Sequence, residues 1–268
     1  MKLPTLDKNM NRKGDKELPS QFNESYRPDL IQRAVLALQS SARQRYGAKP
    51  LAGMRSSSRV SKRRRNWRGC YGFGISRVNR KILSHRGTRM HWVGAFTPQT
   101  VGGRRAHPPK AERIWDQKIN DKERRKAIRS AMAATLSKEL VQKRGHHLPL
   151  QYPFLIDSSI EQLQKTNDLQ KILLTLGFAK ELERSAMKKV RAGVGKHRGR
   201  KYRRKKGLLI VVADECPLVE AGKNIPGVEV VLARALNAEI LAPGAHGGRV
   251  ALWTERAVDI IGKENLFV

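Results

Sequence analysis

Three acidic residues stand where an α/β protein carries out chemistry. Asp157 follows the apolar run Pro153-Phe154-Leu155-Ile156, and Asp214 and Glu215 follow Leu208-Leu209-Ile210-Val211-Val212-Ala213. All three fall at the carboxyl ends of predicted strands, where open sheets gather their ligands. A general acid or base there needs a tuned pKa, whereas capping a helix or pairing with the abundant arginines explains the same residues without one. Gly193-Val194-Gly195 is not a dinucleotide fingerprint, because Gly199 comes one position late and the run precedes a strand instead of following one. A phosphate loop fails as well, since Lys196 is followed by His197 and no glycine lies five positions before Gly195. Cys70 and Cys216 lie far apart without companion ligands at zinc spacing. They read as free thiols, and no metal or cofactor is expected.

The chemistry the chain is equipped for is phosphate recognition. From Leu30 to Ala111 there is no Asp or Glu, and the densest part reads Ser61-Lys62-Arg63-Arg64-Arg65-Asn66-Trp67-Arg68-Gly69-Cys70-Tyr71-Gly72-Phe73-Gly74. A second acid-free basic run spans Lys188 to Lys206. The formal net charge is +32, from 55 Lys and Arg against 23 Asp and Glu. Such a field attracts polyanions, and each phosphate neutralised steepens the log–log salt dependence by about 0.7 to 0.9. Mixed-sign charge would serve solvation equally well, so the exclusion of acids points to phosphate contact. Trp67, Tyr71, Phe73, Trp92 and Phe96 are interleaved with Arg and Gly and offer rings for unpaired bases. No helix-turn-helix, zinc finger or basic zipper is visible to suit duplex DNA, and RNA is therefore the preferred partner. The histidines His85, His91, His107, His146, His147, His197 and His246 show no metal spacing and read as surface or RNA-facing residues. The basic segments lack the wide apolar face of a membrane-surface helix. No 18-residue apolar run or signal-peptide core appears, which sets the expectation of a cytosolic protein with no membrane partner.

The elements that must hold these segments are legible on either side of them. Pro28 and Asp29 suit the first turn of a helix, with Leu30, Ile31, Ala34, Val35 and Leu38 on one face. Asn120 to Glu123 has the form of a helix cap with Ile119 as a staple, and Ala127, Ile128, Ala131, Met132 and Thr135 continue the helix to a stop at Gly145. Helical patterns follow at Ile160–Lys165, Leu169–Leu176 and Ala179–Val190. Strands are expected at 153–157, 208–214, 228–232 and 250–253, with a short one at 239–241 and a closing helix at 255–261. Residues 1–24 are polar and offer a short strand or an extended lead-in. Strands alternating with helices imply right-handed crossovers and a mostly parallel sheet in a three-layer α/β body. The expected domains are 1–42, the N-terminal part of the globular body; 43–111, an extended basic arm; and 112–268, the main body carrying the second basic loop at 188–206. An arm so polar cannot offset the entropy of ordering about 70 residues, and alone in water it is expected to be disordered. Out and back, it could reach on the order of 100 Å at about 3.3 Å per residue.

One long block, Pro98-Gln99-Thr100-Val101-Gly102-Gly103-Arg104-Arg105-Ala106-His107-Pro108-Pro109-Lys110, resembles the universal L-four family of large-subunit ribosomal proteins in its archaeal form. Lys118–Thr135, Arg191–Arg204, Asn224–Gly227 and Ile240–Ala257 agree with it, so the likeness runs from about Tyr26 to Asp259. The resemblance implies a Rossmann-like body and an arm threaded through large-subunit ribosomal RNA. It also implies that the arm lines the nascent-peptide exit tunnel beside the L-twenty-two family protein. The polar N-terminus and the aromatics between Trp67 and Trp92 depart from the family's usual opening strand and Gly/Ser-rich tip.

On this reading Arg63, Arg64, Arg65, Trp67, Arg68, Arg77, Arg80, Lys81, Arg86, Arg89, Arg104, Arg105 and Lys110 contact ribosomal RNA from the arm. Lys196, Arg198, Arg200, Lys201, Arg203 and Arg204 form a second footprint. The expected tunnel-facing tip is Arg68, Tyr71, Gly72, Phe73 and Gly74, with Arg86 to Trp92 as second choice. Neighbouring ribosomal proteins and the nascent peptide are the further partners, and no homo-oligomer is expected. The competing classes are an RNA-modifying enzyme with a cofactor at its strand ends and a nucleoid-type DNA packager.

Overall fold

The computed structural model describes residues 1–268, which divide into two compact units, one of Met1–Ala42 with Asp116–Val268 and one of Arg43–Trp115. The first unit is a mixed α/β domain. Its six-stranded sheet is built from β1 (Lys2–Leu6), β2 (Arg12–Glu17), β5 (Leu155–Ile156), β8 (Leu209–Val212), β9 (Glu229–Leu232) and β10 (Ala251–Thr254). Their order across the sheet is β2-β1-β5-β10-β8-β9. Every pairing is parallel except that of β1 with β2.

Alternate residues of the central strands point to opposite faces, and both faces are apolar. Leu209, Val211, Ala251 and Trp253 join one core cluster with Ile31 and Val35 of α1 (Pro28–Ser41), Ile128 and Met132 of α2 (Asp121–Leu136) and Val258 of α8 (Glu255–Lys263). Ile210, Val212, Val250 and Leu252 join the other with Leu169 and Leu173 of α4 (Thr166–Thr175) and Leu218 of α6 (Pro217–Lys223). Burial on both faces is the reason the run 208–213 is continuous rather than alternating.

Several elements depart from the sequence expectation, each for a local reason. The polar N-terminus forms a two-stranded antiparallel ribbon, because Leu3, Thr5 and Leu6 are buried while β2 stays wet at the edge of the sheet. Pro4 is tolerated because β5 pairs only with Thr5 and Leu6 beyond it. The helix expected to run on to Gly145 breaks at Ser137, and a second short helix, α3 (Lys138–Lys143), precedes the left-handed Gly145. Asn120 stands at the cap position without a side-chain cap bond, and Glu123 pairs with Arg33 at 3.1 Å instead. The strand expected at 239–241 is a helix, α7 (Ala238–Leu241), because the Asn237 side chain accepts from the Ile240 amide at 2.8 Å and caps its start. The helix expected to reach Val190 stops with α5 (Ala179–Ala186).

The second unit is not without regular structure. β3 (Arg80–Arg86) and β4 (Arg89–Gly94) form an antiparallel hairpin with a bulge between Ile82 and Ser84. Likewise the second basic run, read as a loop, contains a short hairpin of β6 (Lys188–Val190) with β7 (Tyr202–Arg204). In both cases dense charge hid a short strand pair. No helix is long and apolar enough to cross a membrane.

Candidate nucleic-acid interface

The six residues of the expected second footprint, Lys196, Arg198, Arg200, Lys201, Arg203 and Arg204, sit on or between β6 and β7 and are exposed. Two of the three register pairs oppose like charges, Lys188 to Arg204 and Lys189 to Arg203, which repel across a ladder. Tyr202 offsets part of this: the Lys188 and Lys201 ammonium nitrogens lie 4.6 and 5.5 Å from its ring centroid. The loop between the strands closes on backbone, with the Arg198 and Arg200 amides both donating to Gly195 O and left-handed glycines at 193 and 199. Backbone thus sets the shape, and the cationic side chains are left facing out.

The root of this hairpin is fixed by buried charge. Glu181 of α5 is almost fully buried and accepts from Arg184 Nε at 2.8 Å, Arg184 Nη2 at 2.5 Å, the His147 amide at 3.0 Å and His146 Nδ1 at 2.7 Å. Burial works against its ionisation, but these bonds prevail and hold its pKa at about 2. Burial also pushes His146 below its ordinary value against the pull of Glu181. Arg184 Nη2 reaches on to Lys206 O at 2.8 Å. From the other side, the fully buried Arg249 donates to Gly207 O at 3.0 Å, Ile240 O at 2.8 Å and Glu229 at 2.6 Å. The point where the basic hairpin re-enters the domain is therefore clamped by two guanidinium groups. The reading of His146 as a surface residue is corrected here: it is 6% exposed.

Residues 43–115 carry nineteen Lys and Arg against a single acid, Glu112. The expected tip residues fall in two turns. The bridge between Ser61 and Gly69 encloses Arg63, Arg64, Arg65, Trp67 and Arg68, held by Asn66 donating to Ser61 Oγ at 2.8 Å and by the Gly69 amide on Asn66 O at 2.9 Å. Tyr71 to Gly74 form the next turn, with Gly72 and Gly74 left-handed and Phe73 70% exposed. Arginines lie against rings throughout: Arg68 over Trp67 at 4.2 Å, Arg64 and Arg77 near Tyr71 at 5.9 and 5.7 Å, and Arg80 over Trp92 at 5.4 Å. Lys81 and Arg86 lie on β3 and Arg89 on β4, where Arg86 and Arg89 face each other at the hairpin end. Arg104, Arg105 and Lys110 lie on the returning segment.

That returning segment meets the outgoing one backbone to backbone. Ala48 donates to Pro109 O at 3.0 Å, and a Cβ at Gly47 would lie 2.8 Å from the Ala111 amide nitrogen. At Gly53, which is left-handed, a Cβ would lie 2.5 Å from both the Arg104 nitrogen and Gly103 O. Glycine is required at these crossings because only a bare backbone fits.

Two of the three strand-end carboxylates pair with cations. The Lys13 ammonium, 2.8 Å from Asp157, holds that carboxyl below its ordinary range, the reverse of what a general acid needs. Asp214 lies 3.4 Å from Arg234, and Glu215 is exposed. No group of three His, Cys, Asp or Glu side chains is placed to hold a metal, and both cysteines are free.

The profile of the ribosomal protein L4/L1 family matches residues 16–264. The chain belongs to this family. A large ribosomal subunit protein uL4 of Nanoarchaeum equitans is 49% identical over 268 residues, the full length of both chains. Proteins of the same name from Archaeoglobus fulgidus and Methanococcoides burtonii are 45% and 44% identical, over 92% and 94% of each chain. All three carry the name of a ribosomal protein and none that of an enzyme.

In this L4-family chain, sequence reasoning missed the residues that hold the basic segments in shape. Arg249 has no motif, since its partners Gly207 and Glu229 lie far from it in the chain, and Glu181 and Arg184, though three apart on one helix, gain their role only from the distant His146, His147 and Lys206. Tyr46 and Trp115, stacked at 5.7 Å between centroids, lie outside the cluster from Trp67 to Phe96, although Tyr46 is within the acid-free run and Trp115 just beyond its end.

Proposed function

We propose that the chain is a structural protein of the large ribosomal subunit, without enzymatic activity, that binds large-subunit ribosomal RNA through the arm unit and the β6–β7 hairpin. The body is read as a three-layer Rossmann-like domain, and the arm as the part that neutralises packed RNA helices during assembly. In the finished subunit the arm lines the peptide exit tunnel, with the turn Arg68 to Gly74 toward the nascent peptide and the L-twenty-two family protein as neighbour. The protein works in the cytoplasm as one copy per subunit.

The observation that carries this reading is the charge of residues 43–115, nineteen cations against one acid, on a segment whose aromatic rings stack with arginine. Cations without acidic partners in their own segment need an external polyanion, and exposed rings suit unpaired bases. The test is binding of the purified chain to a large-subunit ribosomal RNA transcript and to duplex DNA at matched salt. A marked RNA preference with a steep salt slope is expected. Equal affinity would favour a DNA packager, and saturable, stoichiometric binding of S-adenosylmethionine would favour an enzyme.

A further inference from the structure

A cleft of about 560 Å³ opens within the arm unit, lined by Tyr46, Pro108, Pro109, Lys110, Glu112 and Trp115 among others. That volume falls in the range of small-molecule sites. Its walls are fixed by backbone, because Ala48 donates to Pro109 O and the Gly47 backbone passes against Ala111. Its floor is aromatic. The guanidinium carbons of Arg43 and Arg113 lie 4.1 and 4.2 Å from the Trp115 ring centroid, and Tyr46 stacks on the same residue at an interplanar angle of 20°. Tyr46 itself is 53% exposed, so a planar group can lie against it.

The cleft also holds Glu112, the single acid among residues 43–115. A carboxylate repels phosphate, which is the reverse of what the rest of this unit does. Arg113 is turned onto the Trp115 ring, and Glu112 forms no ion pair with it. An ionised carboxylate only accepts hydrogen bonds, two of them side by side. Among the four bases, guanine alone offers two adjacent donors on its pairing edge, N1–H and N2–H. Adenine and cytosine set one donor beside a ring acceptor, and uracil flanks its N3–H with two carbonyls that a carboxylate repels. Stacking on an aromatic ring combined with reading of the pairing edge is how proteins hold an extruded base.

We propose that this cleft is a guanine-reading site, in which an unpaired guanine stacks on Tyr46 and donates N1–H and N2–H to Glu112 while Lys110 meets its phosphate. The inference rests on the RNA-binding reading above and adds base specificity to it. Within a segment that otherwise recognises phosphate without regard to sequence, the cleft fixes register on the RNA by one extruded nucleotide.

The test uses the full-length protein and short oligouridines of equal length carrying one central guanine, adenine, cytosine or uridine. Phosphate contacts are then equal, and differences report the base. The guanine oligomer is expected to bind about tenfold more tightly than the other three, as a bidentate base contact allows. Glu112→Gln should collapse that ratio to near one. Tyr46→Ala should weaken the guanine oligomer about tenfold by loss of stacking, with Tyr46→Phe restoring it. Equal binding of all four oligomers by the wild-type chain would overturn the proposal, as would a guanine preference that survives Glu112→Gln. Salt-dependent binding of the wild-type chain to the ribosomal RNA transcript is measured beside it. If that persists while the guanine preference is missing, only the base-reading site fails; if the transcript itself is not preferred, the RNA-binding reading fails.

Discussion

Lys189 faces Arg203 directly across the β6–β7 ladder, and Lys188 faces Arg204 beside it. A hairpin with opposed cations is weakened in the free protein and relieved when phosphate lies over both strands. Lys189→Glu therefore acts in two directions. The free protein should be as stable as wild type or slightly more so in denaturant titrations, because an opposite-charge pair replaces a repulsive one. Affinity for ribosomal RNA should fall, with a salt slope shallower by about 0.7 to 0.9 for the lost contact. A loss of stability accompanying the loss of affinity would refute this account of the hairpin.

The His146–Glu181 contact sets an acid limit on the body. His146 is held below its ordinary pKa by burial, so the unfolded state binds a proton near pH 6.5 that the folded ring resists. Glu181, at about 2, resists protonation that the unfolded chain accepts near 4.3. Both groups add stability above their unfolded pKa values and lose it as pH falls. Denaturant midpoints should be flat above pH 7, decline from about pH 6.5, and decline further below about pH 4.5. His146→Gln should flatten the upper limb. Glu181→Gln should make the lower one shallower, with Asp157 and the other paired carboxylates carrying the rest, and cost about 1–3 kcal/mol at neutral pH through the unsatisfied partners it leaves. Stability that rises on acidification would contradict the assignment.

Much of this architecture was legible because burial leaves a period in the chain. The run from Leu208 to Ala213 and the face of Ile31, Ala34 and Val35 are each explained by one local pattern, and the structure buries all of these residues. What escaped was information held between distant positions. Leu6 is a central rather than an edge strand residue because β5, some 150 positions on, supplies its second neighbour. Asn237 carries no clear cap signal because the four residues of helix after it, Ala238 to Leu241, are as short as a strand. The basic hairpins were hidden for a different reason: their charges mask a β pattern that cross-strand pairing alone reveals. The basic residues expected at the interface were visible as charge, but the residues that give those segments a shape, such as Gly53, Arg249 and Glu181, carry no local signature.

The crossing at Gly53 tests whether the arm unit needs that shape. Its φ is +76°, and an added Cβ would lie 2.5 Å from backbone atoms of Gly103 and Arg104 that cannot move aside as a side chain could. Gly72 is similarly left-handed, at +83°, with open space around it. Gly72→Ala carries the conformational cost alone, about 1–2 kcal/mol, whereas Gly53→Ala must also push the outgoing and returning segments apart. Limited proteolysis within residues 43–115 should accelerate much more for Gly53→Ala than for Gly72→Ala, and only the former should lower ribosomal RNA affinity several-fold. Equal behaviour of the two variants would show that the backbone crossing has no role.

Trp253 is the largest fully buried side chain of the body, and its ring meets Phe22 edge to face at 4.9 Å between centroids, 83° between planes. Its indole nitrogen has no hydrogen-bond partner, so an unsatisfied donor offsets some of what the ring contributes by burial. Trp253→Ala removes the ring and leaves a cavity beneath β10, and should cost about 3–5 kcal/mol. Trp253→Phe also leaves a gap, but it keeps an aromatic partner for Phe22 and deletes a donor whose burial alone costs about 1–3 kcal/mol. The phenylalanine variant should therefore lose less than half of what the alanine variant loses in denaturant titrations. Its ribosomal RNA affinity should equal that of the wild type, because no cation moves. If the two variants prove equally unstable, the indole nitrogen is satisfied in solution and the orphaned donor is not a feature of this core.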